Sequence, residues 1–436
     1  MSGTAPVRDR MGVRDLADRF GTPAYVYELA DVDAAAQVLR RALPAPSRLL
    51  YSLKANPHPL IAHALRAGGC DAEISSLGEL AAARQAGFTA DQCLYTGPGK
   101  SEQEVAVALD TGVRRFSVES AADFHRVASA AEERGTTADC LVRINTLRAT
   151  GTSGLRMSGV ASQFGVDVAV LEEEPTLFAA RPGARVVGLH FFSVSNAAAE
   201  TAIVEEARAN IAVAAWLREV AGVDLRVLDL GGGFAAPYAK PGPLPDYTGL
   251  RDALEAALDE HLAGWRDGDP EIAFESGRYL AGVCGRLVAR VADVKRSQDR
   301  TFLVLDSGIN HLGGLAGLGR LLPVSAAVVP AVGPPGEAAL AEQVRATVVG
   351  PLCTPADVLA RDVAIASARV ADLVEIPNVG AYGLTASLVG FLSRPAAAEI
   401  VLRDGVLVDA SRVELRRVPI DQGAAESGES RHEGSD

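Results

Sequence analysis

Eight times between residues 48 and 274, a short β-branched or apolar run alternates with a longer stretch of helical pattern. A parallel sheet with helical crossovers requires this alternation. The strand runs fall at 48–53, 71–75, 92–96, 115–118, 141–145, 186–192, 226–230 and 272–274. Alanine-rich helical patterns lie between most of them, at 59–67, 79–86, 102–109, 121–134 and 202–220, and several end in a glycine such as Gly87 or Gly112. The stretch between the fifth and sixth strands is less regular. A count of eight, with polar residues clustered just after strand ends, favours a (β/α)8 TIM-like barrel over a doubly wound sheet.

After Gly285 the pattern changes. Strand runs at 287–294, 301–306, 345–349, 370–376 and 399–403 are separated by proline- and glycine-rich turns without long helices, the signature of an antiparallel β domain. Residues 21–28 (GTPAYVYE) precede the barrel and read as one more strand of that second domain. The expected organisation is an N-terminal segment (1–40) joining the β domain, a barrel (41–285), the C-terminal β domain (286–421) and a disordered tail (422–436) rich in Gly, Ser and Glu.

Composition narrows the function. Of 436 residues, 48% are hydrophobic and 22% charged, enough apolar content for a large core. The 42 Lys and Arg against 55 Asp and Glu give a net charge of −13, which argues against nucleic acid or an anionic membrane as partner. The five cysteines (Cys70, Cys93, Cys140, Cys284, Cys353) form no CxxC pair, so neither a zinc site nor a disulfide framework is expected, and no metal. The first twenty residues lack an apolar targeting core, and no apolar run is long enough to span a bilayer, so a cytoplasmic enzyme is expected.

Three motifs carry chemistry. Tyr51-Ser-Leu-Lys54-Ala-Asn places a lysine at the end of the first strand. Alone it reads as a surface residue; buried at a barrel rim, its amine would be desolvated and its pKa lowered, as Schiff-base chemistry requires. Asp229-Leu-Gly-Gly-Gly-Phe234 follows the seventh strand, and its glycines let backbone N–H groups approach an anion. Phe274-Glu275-Ser-Gly-Arg278 ends the eighth strand with an acid able to face a pyridine nitrogen and an arginine able to hold a phosphate. Barrels commonly build phosphate sites after strands 7 and 8, so the three motifs converge on one mouth. Pyridoxal 5'-phosphate needs all three.

From about Gly21 to Leu402 the chain resembles the fold-type III, alanine-racemase-like decarboxylases, which include the diaminopimelate and ornithine/arginine decarboxylases. YSLKAN, SSLGEL (75–80), LDLGGGF, FESGR, GPLCTPAD (350–357) and GAY (380–382) are six ordered matches to that family. The resemblance implies a cofactor-bearing Lys54, Glu275 against the pyridine nitrogen, Phe192 against the ring, and Ser195, Gly232, Gly233, Gly277, Arg278 and Tyr382 about the phosphate. It also implies a homodimer with shared sites. Cys353 would reach the neighbour's site and return a proton after CO2 loss, and Cys353, Asp357 and Tyr382 would meet the substrate.

The departures from the family bear on substrate. Its stacking histidine is replaced by Phe192 in GLHFFSVSN, whose ring stacks but carries no proton; His190 lies two residues earlier on the same strand face. Diaminopimelate decarboxylases place Glu after the loop cysteine, where this chain has Thr354, and their substrate arginine falls near Gly314. GPGKSEQE (97–104), SQFGV (162–166), HFFSVSN and CTPADVLARD are similar to a narrower branch. That branch serves siderophore and natural-product assembly, including enzymes acting on citryl-diaminopropionate or on carrier-attached aminoacyl groups. The alternatives are a free amino-acid decarboxylase such as one for diaminopimelate, a racemase of the same fold, and a non-catalytic cofactor carrier.

Overall fold

The structure is a computed structural model that describes residues 10–146, 155–156, 162–192, 194–313, 325–331 and 343–418. Gly314 and the tail from 422 onward lie outside the described residues. Eight strands, Arg48–Ser52, Asp71–Ile74, Cys93–Tyr95, Arg115–Val118, Ala138–Asn145, Ala184–Phe191, Val227–Asp229 and Glu271–Ser276, pair parallel in sequence order. The eighth returns to the first, with Phe274 opposite Leu49 and Glu275 opposite Leu50, and closes the barrel. All eight runs expected from the sequence are present.

Short polar caps start the crossover helices just beyond the strand ends. Ser76, Ser101 and Ser120 each accept a backbone N–H in the first turn of the helices Leu77–Gln85, Glu102–Asp110 and Ala121–Glu133. Glu104 returns a bond to the Ser101 N–H and completes a capping box. Each helix turns one face inward, as Val105, Ala108 and Leu109 do from Glu102–Asp110.

Alternation along the strands sorts the barrel interior into layers. Leu50, Leu94, Leu141, Val187 and Ala273 form an apolar belt. On its amino-terminal side a cavity of about 260 Å3 is ringed by Arg48, Arg115, Arg185 and Arg226. Each of those arginines has an acid within 3.6 Å, so this end reads as a charge-balanced plug. On the carboxyl-terminal side the layer is polar and buried: Ser52, Glu73, Thr96, Ser117, Arg143, His190, Asp229 and Glu275. An interior that crowds so many polar groups beside an apolar belt is unusual for packing alone, and it marks the end that carries chemistry.

The second sheet runs, edge to edge, Val358–Ala366, Gln343–Val349, Arg300–Leu305, Gly285–Ser297, Ala24–Glu28, Ala398–Arg403 and Val406–Arg412, with Leu373–Ile376 also paired to Gly285–Ser297. The N-terminal strand thus completes the β domain, as expected, and lies between two of its strands. The sheet is mixed in detail. Ala24–Glu28 runs parallel to Ala398–Arg403, and Arg300–Leu305 parallel to Gln343–Val349, because neither pair is joined by a hairpin. Val358–Ala366 and Val406–Arg412 were not expected from the sequence; both are edge strands whose exposed charges, such as Arg361 and Asp362, blur the alternation. The run expected at 370–376 begins at Leu373, since Ala371 turns the chain at φ 75°.

Candidate active site

The first barrel strand ends at Ser52, and Lys54 stands two residues further, in the 3-10 turn Leu53–Ala55. Its side chain is 38% exposed, although Leu53 and Ala55 on either side of it are buried. The Nζ lies 3.2 Å from Oε1 and 3.1 Å from Oε2 of Glu73 on the second strand. Glu73 is itself buried and accepts a hydrogen bond from the Thr96 hydroxyl.

This environment corrects one sequence expectation. Burial alone would lower the Lys54 pKa, but Glu73, Glu275 and Tyr382 act together and raise it. Glu73 moves oppositely: burial would raise its pKa, and Lys54 with the hydroxyls of Thr96 and Ser52 brings it down. Without cofactor the pair is therefore an ammonium and a carboxylate.

The glycine motif folds as a turn that admits no side chain. A Cβ on Gly231 would stand 2.1 Å from Phe191 O, and one on Gly232 2.3 Å from Glu275 O. Gly231 and Gly233 both have positive φ. The segment carrying Ser195 is drawn to this turn, for the Ala197 N–H donates to Gly233 O at 2.8 Å. Gly277 is as tightly held, its Cβ position only 2.7 Å from Ala55 beside the lysine.

The β domain adds the last piece. The Tyr382 N–H donates to Ala55 O at 2.7 Å, and Asn56 Nδ2 donates to Gly380 O at 2.8 Å, so the GAY segment is laced to the lysine turn. The Arg278 guanidinium lies 4.6 Å from the centre of the Tyr382 ring. Phe192 has Lys54 Nζ at 5.2 Å and the Arg143 guanidinium at 5.7 Å from its ring centre, so its ring lies beside the lysine amine. Arg143 is fixed by Glu119 at 2.9 Å and also lies over Phe164 of the SQFGV segment.

Behind these groups stand three buried ones whose ligating atoms lie within 4.8 Å of one another: His190, Asp229 and Glu275. Glu275 Oε1 and His190 Nε2 stand 3.4 Å apart without a well-formed hydrogen bond, and Asp229 Oδ2 has no hydrogen-bond partner. Burial and the neighbouring Glu73 and Asp229 push the Glu275 pKa well up, and burial with the Gly231 N–H and Glu73 leaves Asp229 at about 7. Burial together with Arg143, Lys54 and Lys100 holds His190 well below its usual value, so the imidazole is neutral. Its Nδ1 lies 2.7 Å from the Ser117 hydroxyl.

The loop expected to meet substrate divides into two roles. Cys353 is exposed. Asp357, expected beside the substrate, is instead buried: Oδ1 accepts the Ile309 N–H at 2.8 Å and Oδ2 the Leu352 N–H at 2.7 Å. Its two oxygens brace the loop that presents Cys353, and within this chain it is a positioning residue. Sequence reasoning missed Glu73, Thr96, Arg143 and Glu119. A carboxylate in a run as short as Asp71–Ile74, on the face that the barrel turns inward, was the available signal for Glu73.

A buried carboxyl oxygen whose nearest polar neighbour, an imidazole nitrogen, stands off at 3.4 Å can take a donor, and a glycine turn that excludes even a Cβ calls for a closely approaching group. With a reactive lysine between them, these features define an enzyme that holds an aldehyde-bearing, phosphorylated pyridine ring. The family model described as "Pyridoxal-dependent decarboxylase, pyridoxal binding domain" matches residues 29–282, and the chain belongs to that family of pyridoxal-phosphate-dependent amino-acid decarboxylases. It is 30% identical over 405 residues to the L-glutamyl-[BtrI acyl-carrier protein] decarboxylase of Niallia circulans, covering 91% of this chain and 92% of that one. It is 33% identical to the diaminopimelate decarboxylase of Actinosynnema pretiosum subsp. auranticum, over 92% of this chain and 88% of the other. The crystal structure of diaminopimelate decarboxylase from Helicobacter pylori complexed with L-lysine superimposes with a TM-score of 0.78 at 25% identity, covering 92% and 95% of the two chains. The cofactor is pyridoxal 5'-phosphate. Among the described residues no helix is long and apolar enough to cross a membrane.

Proposed function

We propose that this decarboxylase acts on an amino acid presented as a conjugate, either attached to a carrier or condensed with a second acid as in citryl-diaminopropionate, in natural-product or siderophore assembly. The observation that carries this reading is the side chain beside Cys353. Thr354 is small and uncharged, and its hydroxyl accepts the Ala356 N–H at 3.3 Å within its own loop. A free amino acid with a distal ammonium and carboxylate needs matched charges there. A carrier-bound conjugate, whose distal carboxyl is tied up as a thioester, does not, and a citryl conjugate would have to find basic partners for its carboxylates outside this loop. The likeness to the glutamyl-carrier decarboxylase supports the same class of substrate.

In the reaction the bond to the α-carboxylate breaks, CO2 leaves, and a proton takes its place. When bound, the cofactor supplies an electron sink for the pair released from that bond. The chain's own residues do the rest. Lys54 holds the cofactor, and Gly232, Gly233, Gly277, Arg278, Ser195 and Tyr382 hold its phosphate. Glu275, whose raised pKa gives it a proton to share, would pair with the ring nitrogen and keep that nitrogen protonated. Phe192 covers the ring with an apolar face. Cys353, contributed by the neighbouring subunit of a homodimer, delivers the proton to the α-carbon. Steady-state comparison of free amino acids, citryl-diaminopropionate and a carrier-bound glutamyl thioester tests the reading. A tenfold or larger preference for a conjugate is expected, and a preference for a free amino acid overturns it.

A further inference from the structure

His190 sits in the buried polar layer of the barrel, and the catalytic reading gives it no task. Both of its ring nitrogens meet protein groups. Nδ1 lies 2.7 Å from the Ser117 hydroxyl, and Nε2 lies 3.4 Å from Glu275 Oε1. Ser117 is fully buried, and the imidazole is the one hydrogen-bond partner of its hydroxyl among the described residues. If Nδ1 carried the ring's proton, the serine hydroxyl would be left with a proton and nowhere to place it. The hydroxyl therefore donates to Nδ1, and the neutral ring carries its hydrogen on Nε2, toward Glu275.

The GPGK segment, whose part was not evident from the sequence, stands behind this arrangement. The Lys100 side chain is buried, pairs with Asp123 at 2.8 Å, and donates to Ser117 O at 2.8 Å and to Gly97 O. It pins the strand that carries Ser117. Burial, then Arg143, Lys54 and Lys100, oppose a second proton on His190.

Glu275 poses the problem that such a donor solves. It is buried and faces the carboxyls of Glu73 and Asp229, with Lys54 and Arg143 compensating only in part, so it holds its proton firmly. An acid of that kind keeps a ring nitrogen charged only if something stabilises the carboxylate left when the proton moves across.

We propose that His190 is the positioning residue for this transfer: its Nε2–H closes on Glu275 Oε1 and stabilises the carboxylate formed when the Glu275 proton passes to the ring nitrogen of pyridoxal 5'-phosphate. The imidazole stays neutral throughout, giving a hydrogen bond and no proton. Ser117 fixes which ring nitrogen carries the hydrogen, and Lys100 fixes Ser117. The inference rests on Glu275 facing the ring nitrogen and adds the group that lets it release its proton.

The test reads that nitrogen directly. Apoenzyme of each variant is loaded with pyridoxal 5'-phosphate carrying nitrogen-15 in the ring, and the chemical shift at about pH 7.5 reports how the proton is divided between nitrogen and acid. Wild type should lie on the protonated side. His190→Leu should lower the ratio of protonated to unprotonated nitrogen at least about tenfold, equal to one unit of relative proton affinity. His190→Gln, whose amide can donate to the same oxygen, should recover most of that ratio. Ser117→Ala keeps the imidazole but frees its tautomer, and should fall between. Glu275→Gln should remove the protonated signal. If Glu275→Gln leaves the nitrogen as in wild type, the acid does not face the ring, and the inference falls with that reading. If Glu275→Gln changes the nitrogen while His190→Leu and Ser117→Ala do not, Glu275 keeps its place, His190 only fills the barrel, and the inference alone is overturned. It is overturned as well if the two His190 variants act alike, since lost shape rather than a lost donor then accounts for both. Should His190→Leu fail to fold, Ser117→Ala decides: an unchanged nitrogen in that variant rejects the role of His190.

Discussion

Both carboxylate oxygens of Glu73 lie within 3.2 Å of the Lys54 ammonium, and together they set the charge of the group on which the chemistry depends. The acid is fixed from behind by Thr96, so it cannot swing away when cofactor arrives. Lys54 must shed a proton before it can attack an aldehyde, and Glu73 is the neighbour that resists this by stabilising the ammonium.

The pairing predicts how cofactor capture responds to pH. In Glu73→Gln the nearest opposing charge and its hydrogen bond are gone, and the Lys54 pKa falls, with Glu275 and Tyr382 still holding it up in part. The rate of pyridoxal phosphate loading onto apoenzyme should rise with pH in both proteins, with the midpoint in the variant at least about one unit lower. Stopped-flow absorbance across pH 6 to 10 measures it; coincident profiles would mean that Glu73 does not govern the amine. Lys54→Ala should lose both the lysine-bound absorbance and turnover.

The acidic cluster behind the site predicts a stability change with a definite sign. The Asp229 pKa goes from its ordinary 3.8 to about 7 because the side chain is buried and faces Glu73, with the Gly231 N–H, Arg143 and Lys54 only partly compensating. A folded-state pKa above the unfolded one means that the native chain holds the extra proton between those values. The stability gained is full in acid and is lost as pH rises toward 7. Asp229→Asn keeps the oxygen that accepts the Gly231 N–H but carries no titrating proton. Relative to wild type, its apoenzyme Tm should improve steadily between pH 4 and pH 8; a Tm difference that stays flat, or moves the other way, rejects the protonation assigned to Asp229.

Shared sites predict complementation. Cys353 is exposed within its own chain, on a loop braced by Asp357, and in the proposed dimer it serves the neighbour's lysine. Lys54→Ala and Cys353→Ala should each be inactive alone. Mixed under conditions of subunit exchange, they should recover about a quarter of wild-type activity, because half of the dimers are hybrids and each hybrid has one intact site. Exchange shown by mass without any recovery would place both residues in the same subunit's site.

What the sequence made legible follows from which interactions are local. The eight barrel strands and the Lys54, Gly231–Gly233 and Glu275–Arg278 segments show themselves because strand periodicity and glycine geometry are written in consecutive residues. Glu73 was invisible as a partner of Lys54 because nineteen positions separate them and only parallel pairing of the first two strands brings them together. The direction of the lysine's pKa was misjudged for the same reason: burial can be guessed from an apolar strand, but the opposing carboxylate lies on another. Asp357 looked like a substrate residue from its place near Cys353. Its real partners, the N–H groups of Ile309 and Leu352, become neighbours only when the β domain folds.

The last prediction concerns substrate choice. Diaminopimelate carries an ammonium and a carboxylate at the end remote from the reacting carbon, and a partly desolvated pocket must pair both or lose their hydration without return. The residue after Cys353 is Thr354, whose hydroxyl is already engaged with the Ala356 N–H and which has no charge to offer. Phe192 adds an apolar face where an ionisable ring would have given a second polar contact, and its nearest cations are already placed: Lys54 by Glu73 and Arg143 by Glu119. Free diaminopimelate should therefore be decarboxylated at least about a hundredfold less efficiently than the preferred conjugate, which corresponds to roughly 2.7 kcal/mol of transition-state discrimination. Replacing Thr354 with Glu restores one of the missing charges and should narrow the gap, chiefly through a lower KM for diaminopimelate. Comparable kcat/KM values for diaminopimelate and the conjugates in the wild-type enzyme would show that other side chains supply the charges, and the assignment of Thr354 as the discriminating position would then fail.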